Sequence, residues 1–151
     1  MEALVWDDSC VIQIPLIDER NQKFMELAAR LQELNAVKRK KDEDFENIAE
    51  ALADMMEFAR LHFAEEEKIL VSKQFPELKH HKREHKKFIK KLMGFRRLFS
   101  EEPAKVADDA LKFVQQWMPE HIKEEDARYA PFLRVQNYLA ECRAMGRRGR
   151  S

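Results

Sequence analysis

Apolar residues recur along this chain in steps of three and four, the period of a helix that buries one face. The first run, Phe24, Leu27, Ala28, Leu31 and Leu34, predicts a helix over residues 18–38, with Asp18 placed to act as its N-cap. Ahead of it, residues 5–18 mix Trp6, Val11, Ile12, Ile14 and Ile17 around Pro15. Proline disfavours a helical residue before it, so this segment reads as an irregular arm. A basic connection at 38–41 leads to a second helix, from Asp42 or Asp44 to about Leu70, whose stripe is Ile48, Leu52, Met55, Ala59, His62 and Glu66. A third begins near Pro76, a residue suited to a first helical turn, and carries Leu78, His81, His85, Phe88, Leu92, Phe95 and Phe99. After a break at 100–103, a fourth carries Val106, Ala110, Val114, Trp117 and His121. Tyr129 and Pro131 mark its end or a bend. A further helical stretch is expected from Phe132 to about Met145, then a basic tail at 146–151 without expected structure.

These elements predict an all-α protein: an antiparallel four-helix up-and-down bundle with an irregular N-terminal arm and a short C-terminal helical extension. Residues 1–134 form the bundle with its arm, and 135–151 the extension and basic tail. The apolar stripe of the extension, Val135, Tyr138, Leu139 and Cys142, is expected to pack back onto the bundle. With only 3 glycines and 5 prolines, the chain lacks the turn residues that a sheet protein needs.

Charge narrows the partners. The 28 basic and 28 acidic residues cancel, so no overall field draws the chain to nucleic acid or to a membrane surface. No apolar run is long enough to cross a bilayer, and the acidic N-terminus does not read as a secretory signal. Cys10 and Cys142 lie far apart without metal-type spacing and read as reduced thiols, so a cytoplasmic location is expected.

The stripes also carry chemistry. Three helices each place a pair of metal-capable side chains among apolar ones: His62 with Glu66, His81 with His85, and His121 with Asp126. Residues four apart differ by about 40° around a helix, so the first two pairs can each grip one site. A spacing of five differs by about 140°. His121 and Asp126 therefore need a local distortion to converge, such as a π-bulge or a helix end, and Pro119 makes a kink reasonable. Such groups facing a core cost several kcal/mol each, on the order of a lost ion pair, unless something compensates them. Carboxylates and imidazoles converging from facing helices are how di-iron sites are built, whereas zinc, preferring four ligands, would leave some unused. His80 points away from the seam and reads as a surface residue. Glu65 and Glu67 read as solvated charge, and Trp117 as core or as the wall of a ligand pocket.

In its ordered set of motifs the chain resembles the hemerythrin family over residues 6–133. The arm carries Trp6 and Ile14, Pro15, Ile17 and Asp18; the second helix has His62 and Glu66. The third has His81 and His85 after Phe75 to Leu78, and the fourth has His121 and Asp126 followed by Tyr129, Pro131 and Phe132. The resemblance implies two non-haem iron ions, bridged by carboxylates and an oxo or hydroxo group. His81, His85 and His121 would hold one iron, Glu66 and Asp126 would bridge, and His62 would serve the second. Asn21 stands where the family has a further histidine on that second iron, Gln13 stands where it usually has a glycine, and Pro119 lies inside the fourth helix. An amide oxygen is a weaker donor than imidazole, so the second iron is expected to be less firmly held. The resemblance implies an oxygen-binding protein, for binding, storage or delivery of dioxygen, rather than an enzyme. A di-iron oxidase or peroxidase, and a redox- or gas-sensing module that uses the extension beyond Leu133 as its partner surface, are the alternatives; dioxygen or another small ligand at the iron and a redox partner are the expected partners.

Overall fold

The structure, a computed structural model, describes Trp6 and residues 10–148; the side chains of Glu125, Asp126 and Arg148 lie outside the described residues. Among the described residues five α-helices, α1 (Pro15–Asn35), α2 (Asp42–Ser72), α3 (Leu78–Leu98), α4 (Pro103–Glu120) and α5 (Ala127–Arg148), build four rods. The fourth rod is compound, because α4 runs through a π-helical turn, His121–Asp126, directly into α5. Around the bundle, α1 packs on α2 and α4, and α3 on α2 and α4. Connections of only a few residues join consecutive rods, which makes sequence neighbours antiparallel.

Local chemistry moves two boundaries away from the sequence expectation. The first helix starts at Pro15, with Ile14 extended (φ −120°, ψ 97°), because proline's fixed φ suits the first helical position. Asp18 is therefore not the N-cap. It lies in the first turn, and its Oδ1 accepts the Ile12 N–H at 2.8 Å, fastening the arm to the helix start. Gln13, between them, has φ 63°, a left-handed conformation that glycine adopts without penalty and glutamine does not. Its Oε1 accepts a hydrogen bond from Arg134 at 2.7 Å, so the strained residue also ties the arm to α5. The second helix begins as expected: Asp44 takes the Lys41 N–H at 2.8 Å, and Asp42, Glu43 and Asp44 place negative charge at the positive end of the helix dipole.

The second shift concerns the end of the chain. Helix α5 does not stop at Tyr129 or Pro131 but runs through both to Arg148. Beyond Leu133 the expected packing of Val135, Tyr138, Leu139 and Cys142 on the bundle does not occur; all four are exposed. The tail is helical through Arg148, and residues 149–151 lie outside the described residues.

Two apolar clusters fill the interior. The larger gathers Phe24, Leu31, Leu52, Met55, Phe88, Leu92, Val114 and Met118 with their neighbours. The smaller, at the opposite end, holds Ile12, Ile17, Leu70, Phe75, Tyr129 and Leu133. On each rod the metal-capable residues fall between the two: Asn21 between Ile17 and Phe24, His62 and Glu66 between Ala59 and Leu70, His81 and His85 before Phe88, and His121 between Met118 and Tyr129. Phe88, fully buried, sits at the junction, its ring 4.2 Å from Trp117 and 5.5 Å from Phe24 between centroids. Replacing it should therefore open a cavity that the rigid rods cannot close. Phe88→Ala is expected to cost about 3–5 kcal/mol, against less than about 0.5 kcal/mol for Leu98→Ala at an exposed site, as measured by urea denaturation at fixed metal content.

Candidate metal centre

Four rods deliver their polar residues to the same level because alternate helices run in opposite directions. Asn21 lies near the start of α1, His62 and Glu66 near the end of α2, His81 and His85 near the start of α3, and His121 just after α4. All six are buried, none more than 6% exposed. Glu66, His81, His85 and His121 each offer a ligand atom within 4.8 Å of the others, and this group can hold a metal ion.

Glu66 organises the cluster by dividing its two oxygens. Oε1 takes a close contact from His81 Nε2 and lies 3.3 Å from His85 Nε2, which in turn lies 3.3 Å from His121 Nε2. Oε2 faces the other way, 3.4 Å from His62 Nε2, and accepts no hydrogen bond among the described residues. His62 Nε2 is also 3.1 Å from Asn21 Oδ1, so an Nε2–H of His62 donates to the amide oxygen. The carboxylate thus separates a three-histidine side from a side made of His62 and Asn21.

The electrostatics follow from burial. Loss of water is the largest influence on His62 and outweighs the attraction of Glu66, pushing its pKa from 6.5 to about 4, so the imidazole is neutral at pH 7. Burial alone would raise the Glu66 carboxyl, but hydrogen bonds from His81 and His85 overcome it and hold the group well below the ordinary carboxylate range. The core therefore contains a carboxylate anion facing imidazole nitrogens from both sides. A cation satisfies that arrangement, and the nitrogen and oxygen donor set suits a borderline transition metal.

Each imidazole leans on an aromatic ring. Phe63 stacks on His85 (centroids 3.8 Å apart, planes at 4°) and Trp117 on His121 (4.2 Å, 12°). Phe58 lies parallel to His62 at 5.8 Å, and the buried Tyr129 meets His81 edge-on at 5.1 Å. Of these, only Trp117 is anticipated by the sequence reading as a wall of the site. The signal is nevertheless present in the chain: Phe58 precedes His62, and Trp117 precedes His121, by four residues, one helical turn. Glu67 is likewise more than solvated charge. Its side chain is 20% exposed and its Oε2 lies 3.6 Å from His85 Nδ1, on the side of the ring away from Glu66, close enough for charge attraction but too far for a hydrogen bond. His80 is half-buried and stands outside the cluster.

The distortion expected between His121 and Asp126 is present as the π-helical turn. Its i to i+5 hydrogen bonding brings residues five apart toward one face, and Pro119, which has no N–H to donate, lies immediately ahead of it. Asp126 closes the turn; its side chain lies outside the described residues.

Comparison with known proteins agrees with this construction. Residues 13–133 match the Hemerythrin HHE cation binding domain. A bacteriohemerythrin of Clostridium acetobutylicum is 34% identical over 126 residues, covering 83% of this chain and 97% of the relative. A myohemerythrin of Riftia pachyptila is 29% identical over 125 residues, covering 83% and 89% respectively. A solved crystal structure of a point mutant, 22% identical, shares the fold with a TM-score of 0.75 over 87% of this chain and 97% of its own. No helix among the described residues is long and apolar enough to cross a membrane. Fold, buried histidine and glutamate cluster and family match together make this chain a member of the hemerythrin HHE cation-binding family.

Proposed function

We propose that the chain is a cytoplasmic, non-haem di-iron protein of hemerythrin type that binds dioxygen reversibly, for its storage or delivery. The observation that carries this reading is the division of Glu66: Oε1 toward His81 and His85, Oε2 toward His62. His81, His85 and His121 would hold one iron, Glu66 and Asp126 would bridge, and His62 would serve the second iron with Asn21 as a weak oxygen donor. Iron held at this centre would supply the redox and dioxygen-binding chemistry. The chain's own part is to hold the imidazoles in fixed planes through Phe58, Phe63, Trp117 and Tyr129 and to keep bulk water out of a site between two apolar clusters. The test is spectroscopic: protein loaded anaerobically with ferrous iron should change its visible absorption on oxygenation and recover it under argon over repeated cycles. Irreversible oxidation in the first cycle would overturn the carrier reading.

One feature favours a second reading, an oxidase or peroxidase. Asn21 is buried at 2% exposure where the resemblance calls for an imidazole, leaving the Oε2 side of Glu66 with one nitrogen donor among the described residues. Weaker ligation there would leave positions open to exchange. Sustained peroxide consumption over many turnovers would favour this reading, and a single stoichiometric event the carrier.

The same asymmetry predicts the behaviour of a variant. Asn21→His should tighten the second metal by about tenfold or more and slow autoxidation, because imidazole replaces an amide at an already buried position. Unchanged iron per chain in competition with a chelator, together with unchanged autoxidation, would refute it.

Without metal the site should make the fold sensitive to acid. The His62 pKa is depressed in the folded chain, so its unfolded state binds the proton first: stability is fully present above about pH 6.5 and falls as pH drops toward 4. That shift corresponds to about 3 kcal/mol. Glu66, also depressed, acts in the same direction at lower pH. Urea midpoints of chelator-treated protein should decline between pH 7 and pH 4.5, and a flat profile would contradict the electrostatic account.

A further inference from the structure

The zero net charge of the chain hides a strong division between two adjacent rods. Helix α2 carries ten acidic and two basic residues, whereas α3 carries nine basic and one acidic. The two sets do not neutralise each other locally. Among the described residues the only ion pair made by an α3 lysine or arginine is that of Lys87 with Glu84 of its own helix, and Lys91 lies over the rings of Phe95 and Phe113. Lys86, Lys90, Arg96 and Arg97 are exposed with no ion-pair partner there, as are Glu43, Glu46, Glu50 and Glu57 on α2. A hollow of roughly 410 Å³ lies between the rods, rimmed by Arg60 and Lys90, walled by Ile89 and Met93, and floored by Phe63 and His85.

We propose that this α2–α3 face binds a second copy of the chain, turned about a two-fold axis so that the acidic rod of each copy lies against the basic rod of the other. A nucleic-acid duplex or an anionic bilayer presents negative charge over a wide area and would meet the acids of α2 as well as the cations of α3. A two-fold partner satisfies both rods at once, because each contact occurs twice. Zero net charge removes the overall repulsion that would keep copies apart. The partner covers the hollow above the Phe63 and His85 stack and so closes a side of the cluster from water. This surface is independent of which metal or gas the cluster binds.

Sedimentation velocity on the full iron-loaded chain tests it. The dimer dissociation constant should rise by at least about tenfold between about 50 mM and about 500 mM salt. The trio Lys90→Glu, Arg96→Glu and Arg97→Glu gives a chain with two acidic rods, and Glu46→Lys, Glu50→Lys and Glu57→Lys one with two basic rods. Each should weaken self-association by more than about tenfold, and an equimolar mixture should restore a dimer containing one of each. None of these residues touches the cluster, so iron per chain should match the parent, which separates failure of this interface from failure of the metal centre. The single changes Lys90→Glu and Glu50→Lys repeat the test with less disturbance of the surface. A parent chain that stays monomeric in low salt, a trio that associates like the parent, or a mixture that stays monomeric each overturns the proposal, as does a monomer that instead binds an oligonucleotide or phosphatidylserine vesicles.

Discussion

The carboxylate of Glu66, 1% exposed in the middle of a helical bundle, is the constraint around which the rest of the site is arranged. An anion in that position costs several kcal/mol, on the order of a buried unpaired ion, unless every direction around it supplies positive charge or a donor. Here imidazoles from α2 and α3 face its two oxygens, His121 of the last rod joins the same group, and each imidazole is fixed in turn by an aromatic ring. No rod could supply this surround alone, since a helix presents only one turn to the level of the site. Antiparallel packing solves the problem by bringing two helix starts and two helix ends to one height, so the topology and the chemistry depend on the same requirement.

Much of this arrangement is legible in the chain because the residues involved violate the apolar stripes in which they sit. His62, Glu66, His81, His85 and His121 occupy core positions by spacing, and the structure buries each of them. The need for a distortion after His121 also follows from spacing, since five residues do not fit a regular helix, and the π-helical turn supplies it. Less legible are features set by neighbours distant in sequence. The start of α1 depends on whether proline ends the arm or opens the helix, and the bond from Ile12 to Asp18 decides for the helix. Continuity of the last rod through Pro131 was hidden for a related reason. Proline lacks one donor and is expected to stop a helix, yet five residues beyond the π-helical turn α5 continues through it. The outer rod of α5 shows the limit of pattern reading: an amphipathic stripe indicates that a helix has an apolar side, and not that anything covers it.

Asn21 brings an amide to the level of the imidazoles. The amide is buried at the level of the histidines and faces His62, so the position still belongs to the cluster. What changes is the kind of atom offered. An imidazole can present an unprotonated nitrogen to a cation, whereas the amide presents an oxygen, which here accepts the His62 Nε2–H. His62 is thereby drawn into a hydrogen bond through the same nitrogen that faces Glu66, and the two sides of the carboxylate become chemically unequal.

That inequality can persist because stability and site chemistry are largely carried by different residues. The larger apolar cluster gathers side chains from all four rods, together with Cys10 and Trp6 of the arm, and does not include residue 21. The smaller cluster, with Tyr129 and Phe75, closes the other end. Between them the polar level behaves as an inserted layer, whose donors can be exchanged for others of similar size while the rods remain in register. The amide of Asn21 in such a layer meets only the His62 side of Glu66, and the three-histidine side does not involve it. The same separation explains why Gln13 can occupy a left-handed position at the edge of the fold: its strain is local, and the bond from Arg134 offsets it without involving either cluster.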